Sequence, residues 1–171
     1  AYEPTPIAEN WIKITDRYQW YDDFDDENIS TIDERKNIKL DENQVNLSQE
    51  ELSQFIPFEM NRRYDNFDIA LNTRIQFHYV SSNGYEDYIS AINVKYNDEK
   101  IRFALLVPYN MTATAGKIDF EIIATGTNSK GENYKWISRA CNKLTVIKSL
   151  SGNGIIDPTT ADWYTQFIRD M

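Results

Sequence analysis

Short runs of alternating apolar residues, turn signals between them and no helix-length apolar period before Pro158 predict an all-β protein. The architecture expected is an antiparallel β-sandwich, immunoglobulin-like, with an N-terminal arm and a short C-terminal helix. At 171 residues the chain suits one domain with appendages: an arm over 1–34, a sandwich over 35–150, and a glycine hinge leading into an oligomerising helix over 151–171. Apolar residues make up 41% and aromatic residues 13%, the balance of a folded, strand-rich chain. Outward-facing polar residues on two sheets account for the mean hydropathy of −0.61.

The arm opens with two prolines, Pro4 and Pro6, which extend the chain, and Trp11-Ile12-Lys13-Ile14 suits a short strand. Tyr18, Trp20, Tyr21 and Phe24 follow, interleaved with Asp22, Asp23, Asp25, Asp26 and Glu27. Aromatics among carboxylates make a poor core segment but a good strap, because rings supply contact area and acids keep a free segment soluble. Trp11, Trp20, Tyr21 and Phe24 are therefore the candidate partner-binding residues, and deletion of residues 1–24 is expected to leave the sandwich folded. The competing expectation is that these rings fold back onto the edge of their own domain.

From Ile32 onward the period is close to two. Ile38 alternates with Leu40 and Val45 with Leu47, and Phe55-Ile56-Pro57-Phe58-Glu59-Met60 is an apolar run that its proline assigns to an edge or bulged strand. Ile75, Phe77 and Tyr79 share a face opposite Arg74, Gln76 and His78, and Ser81-Ser82-Asn83-Gly84 turns the chain. Tyr85 to Ser90 comes next, then Ile92 with Val94, and, past Asn97-Asp98, Ile101, Phe103 and Leu105. Ile118, Phe120 and Ile122, then Trp136, then Leu144 and Val146 complete the expected core. The sum is about seven to nine strands at the spacing of a sandwich.

Charge and composition exclude several functions. A net charge of −9 without a basic stripe argues against nucleic acid, which needs clustered Lys and Arg to displace counterions. No apolar run is long enough to enter a bilayer as a helix. Cys141 is the only cysteine, so no intrachain disulfide forms. His78 is the only histidine and reads as a solvated strand residue, and with Cys141 it supplies too few ligands for a zinc site. The acidic run Asp22 to Asn28 lacks the central glycine and distal glutamate of a calcium loop. With six glycines there is no phosphate-binding loop, and no spacing among the 27 acids singles out a catalytic pair. No enzyme activity, metal or cofactor is expected.

The C-terminal segment points outward from the chain. After Ser151-Gly152-Asn153-Gly154 and Pro158, Trp163 and Phe167 lie four residues apart with Ile168 beside them, one helical stripe that its own segment cannot cover. So short a helix is marginal alone, and Trp163, Phe167 and Ile168 are the candidate oligomerisation residues.

The order of these features resembles a known family. Trp11-Ile12-Lys13-Ile14-Thr15-Asp16-Arg17-Tyr18, Asn37-Ile38-Lys39-Leu40, Gln54-Phe55-Ile56-Pro57-Phe58, Gly84-Tyr85-Glu86-Asp87 and Phe120-Glu121-Ile122-Ile123-Ala124-Thr125-Gly126 carry the likeness. With Ser151-Gly152-Asn153-Gly154-Ile155-Ile156-Asp157-Pro158 and Trp163-Tyr164-Thr165-Gln166-Phe167, its most specific portion, it spans nearly the whole chain. It is similar to the N-terminal module of phage tail and baseplate proteins from phages of Gram-positive gut bacteria, and more distantly to the baseplate upper proteins. The resemblance implies a structural virion component, made in the host cytoplasm, whose sandwich docks receptor-binding or fibre parts onto the tail. It implies sister subunits in a homotrimer, other tail or baseplate proteins as partners, and further helical chain past Met171. The alternative from another class is a carbohydrate-binding sandwich touching the host surface through exposed Trp and Tyr.

Overall fold

The computed structural model describes residues 10–24, 26–49 and 54–148; the hinge at 151–154 and the helix expected over 159–171 lie outside them. In chain order the strands are β1 (Ile12–Lys13), β2 (Ser30–Ile32), β3 (Ile38–Lys39), β4 (Asn46–Ser48), β5 (Phe55–Asn61), β6 (Arg63–Tyr64) and β7 (Phe67–Asp68). They continue with β8 (Thr73–Val80), β9 (Glu86–Ser90), β10 (Ile92–Tyr96), β11 (Lys100–Leu106), β12 (Gly116–Thr127), β13 (Asn133–Ile137) and β14 (Cys141–Ile147). A single helical turn, α1 (Tyr109–Thr112), follows Pro108.

Twelve of these strands form two six-stranded sheets, and β6 pairs with β7 in a separate hairpin. The first runs β1-β10-β11-β5-β2-β3; the second runs β4-β14-β12-β8-β9, with β13 paired to β12. Both are mixed, because β2 runs parallel to β5 and β4 parallel to β14. The purely antiparallel sandwich is thus corrected, and the immunoglobulin-like ordering is not shown. The parallel pairs arise because the short strands β2 and β4 join each sheet from distant parts of the chain, by crossovers that period-two alternation does not encode.

The sheets meet through aromatic rings. Phe58 and Phe103 of the first sheet interlock with Phe77 and Phe120 of the second, with centroids 5.4 Å apart for Phe58–Phe77 and 5.9 Å for Phe77–Phe103. All four are at most 2% exposed. Every residue expected in the core is buried, but Ile92 lies outside the central cluster: it pairs with Ala104 on the far side of the first sheet.

Strand β5 departs from expectation in a different way. It lies inside the first sheet, between β11 and β2, in spite of Pro57. Strand β2 reaches only Phe58 and Glu59, so at Pro57 the strand has one paired neighbour and the missing N–H is tolerated as on an edge.

Burial along β5 and β11 is continuous through their middles, which marks strands covered on both faces. One cover is the second sheet. The other is the N-terminal segment.

Candidate functional site

The described residues of the segment read as an arm pack on the domain: β1 and β2 are strands of the first sheet, and Trp11 and Asp26 lie over Arg102 and Lys95 on its outer face. Strand β1 pairs with β10, placing Lys13 beside Lys95, and the Ile14 N–H donates to the Val94 carbonyl at 2.9 Å. Ile14 and Tyr18 are each 6% exposed and belong to the core cluster. The Tyr18 hydroxyl donates to the Thr73 carbonyl at 3.0 Å and accepts from the Ile75 N–H at 3.1 Å. Residues 10–24 and 26–34 are therefore packed on the domain, and the boundary expected after residue 34 falls between β2 and β3, which pair with each other.

Asn93 fastens the strap. It sits where the β10–β11 register shifts, in the left-handed region at φ 50°, which Asn tolerates better than most residues. Its side-chain oxygen accepts from the Tyr21 N–H at 2.6 Å, its amide nitrogen donates to the Tyr21 carbonyl at 2.8 Å, and its own N–H donates to the Gln19 carbonyl at 2.9 Å. The bulge turns a sheet residue outward to grip the strap's backbone.

Beneath the strap lies a charged cluster that the sequence analysis did not single out. Arg102 is 2% exposed and Glu59 fully buried, and their side chains meet at 2.8 Å. A second nitrogen of Arg102 reaches Asp26 at 3.2 Å, and Lys95 pairs with the same carboxylate. Two cations and two anions balance, as burial demands. Trp11 caps the group, with the Arg102 guanidinium 4.6 Å and the Lys95 ammonium 5.7 Å from its ring. The available signal was a single charge inside each apolar run, Phe58-Glu59-Met60 and Ile101-Arg102-Phe103. Asp26 of the acidic run is thereby committed to ion pairs.

The predicted partner-binding residues sit on this strap, each half-buried. Trp20 lies under the Lys13 ammonium at 4.4 Å and donates its indole N–H to Asp22 at 3.0 Å. Tyr21 stacks on Phe24 at 5.5 Å and Phe24 on Phe55 at 4.1 Å. Since Lys13 and Lys95 are cross-strand partners, the rings they cover are neighbours on one face. Trp11 and Trp20 thus share one face, Tyr21, Phe24 and Phe55 form a stack, and each of the four predicted rings is half-buried. Trp163, Phe167 and Ile168 lie outside the described residues.

His78 is more constrained than a solvated strand residue. Its Nε2 lies 2.5 Å from Glu86 and its Nδ1 3.0 Å from Glu121, while Tyr88 stacks on the ring at 4.4 Å. Both hydrogen bonds require an N–H, so only the imidazolium makes them together. The bond to Glu86 raises the imidazole above its ordinary 6.5, partial desolvation opposes it, and the hydrogen bond and charge of Glu121 add to the rise.

The sequence matches no family model and no curated protein. Among solved structures the chain is similar to the N-terminal domain of phage TP901-1 ORF48, with a TM-score of 0.46 and 12% identity over 71% of this chain and 96% of that one.

Proposed function

We propose that this chain is a non-enzymatic structural module of a phage tail or baseplate that docks receptor-binding or fibre parts onto the tail. The observation that carries the docking role is the set of ordered, half-buried rings on the N-terminal strap. Trp11, Trp20, Tyr21 and Phe24 are held by backbone hydrogen bonds, stacking and ammonium contacts, so a partner meets ordered rings and little conformational freedom is lost on binding. The kind of assembly rests on the sequence resemblance, whose most specific stretch is Ser151 to Pro158 with Trp163 to Phe167. In this reading the chain belongs to the virion, and Trp163, Phe167 and Ile168 close a parallel trimer around a threefold axis.

Two experiments test it. Trp20→Ala/Tyr21→Ala removes half-exposed rings without touching Ile14 or Tyr18. The variant is expected to melt like the parent yet fail to enter tails assembled in a host that supplies the remaining tail proteins; unchanged incorporation refutes the docking role. Sedimentation of the chain and of Trp163→Ala/Phe167→Ala should show a trimer and a monomer respectively, and monomers in both would refute the trimer.

A further inference from the structure

At one end of the sandwich the β6–β7 hairpin, the loop after it and the turn between β12 and β13 enclose a depression of about 400 Å³. A wider one of about 560 Å³ continues from it, sharing Asn72 and Thr127. The geometry points to a binding site here for a neutral saccharide of one or two rings. The volume lies in the range of small-ligand sites.

The chemistry of the walls selects the ligand class. Asn66, Asn72, Thr127, Ser129 and Asn133 present amides and hydroxyls, groups that donate and accept as a sugar hydroxyl does. Asn128 is spent internally, accepting from the Lys130 and Glu132 N–H groups and donating to the Glu132 carboxylate. The lining charges match in number, Arg63 and Lys135 against Asp65 and Asp68, with Asp68 held by Arg62 at 3.0 Å and by Arg63 at 3.5 Å. With equal numbers of lining cations and anions, no single sign of charge dominates the walls. Leu71, 48% exposed, and Tyr134, tilted against Phe67 with centroids 4.7 Å apart, offer apolar surface to the C–H face of a sugar ring.

The walls are set before any ligand arrives. The Ser129 N–H donates to the Asn66 carbonyl at 3.0 Å, tying turn to hairpin. Gly126 lets the loop carrying Leu71 and Asn72 close on β12, since a Cβ there would stand 2.5 Å from the Asn72 carbonyl. From behind, Tyr18 holds Thr73 and the Arg17 guanidinium donates to the Ala70 carbonyl at 2.8 Å. None of the lining residues is among Trp11, Trp20, Tyr21 and Phe24, so this site and the docking role stand or fall separately.

The test is to titrate the intact, isotopically labelled chain with glucose, galactose, rhamnose, N-acetylglucosamine, lactose and cellobiose, with glucose 6-phosphate as charged comparison, following backbone amides by NMR. At least one neutral sugar is expected to shift amides of residues 65–72 and 125–135 saturably, and more strongly than the phosphorylated one. Asn66→Ala/Thr127→Ala should weaken that binding about tenfold or more at unchanged melting temperature. Leu71→Ser, at an exposed position, carries the same expectation if the double variant melts low. No saturable shift, shifts mapping elsewhere, tighter binding of glucose 6-phosphate, or undiminished binding by Leu71→Ser would overturn the site.

Discussion

His78 couples the protein's stability to pH through geometry at a single residue. Because its folded pKa is raised above 6.5, the stabilisation is fully present below the unfolded value and is lost as pH rises through the folded one. Melting temperature is therefore expected to fall from pH 6 towards pH 9 by a component that His78→Gln abolishes, and a variant with the parent's pH profile would remove the histidine from the account. Glu59 and Arg102 predict a larger effect. Glu59→Ala leaves the Arg102 guanidinium buried with one anion fewer, at a cost of about 3–5 kcal/mol in urea unfolding. Glu59→Met/Arg102→Leu should recover most of that loss, since an apolar pair needs no desolvation. Gly126→Ala is a third case, where the added carbon must displace the Asn72 backbone and so lower stability and shift the 69–73 loop amides.

At the scale of elements, the strap and the bulge in β10 behave as one device. Removing residues 1–24 was expected to spare the sandwich, but Ile14 and Tyr18 are core residues and Trp11 covers a buried charge cluster. Deletion of that segment is now expected to lower the melting temperature sharply and to raise exchange in β10 and β11, and a truncated chain as stable as the parent would contradict the packing. Asn93→Gly separates the grip from the backbone conformation, because glycine accepts φ 50° and makes no side-chain bonds. Hydrogen exchange over residues 11–24 should then quicken while β12 stays protected.

Taken whole, the molecule is asymmetric. The first sheet is covered on both faces, by the second sheet and by the strap, whereas the second sheet turns Arg74, His78, Glu86, Tyr88 and Glu121 away from the core. Stability is thus concentrated between the sheets, where Phe120 is 2% exposed, and Phe120→Ala should cost about 3–5 kcal/mol by denaturant titration. A cost near zero would place that ring outside the main core.

Alternation in the sequence was sufficient to determine the strands that carry the core, because the side-chain period of a strand is two and inward positions must be apolar: Ile75, Phe77, Ile118, Phe120 and Ile122 needed no further information. For the aromatics of the first 24 residues it left two expectations open, a partner's surface or the edge of their own domain. What those rings touch was decided only in three dimensions. A strap and a free arm have the same composition, and the difference lies in whether Asn93 and the Arg102–Glu59 pair stand beneath them, residues from strands distant in sequence. The same reason hid the two parallel pairs, the interior place of Pro57 and the confinement of His78. Each depends on which strand lies alongside, and pairing between remote segments leaves no period in the chain.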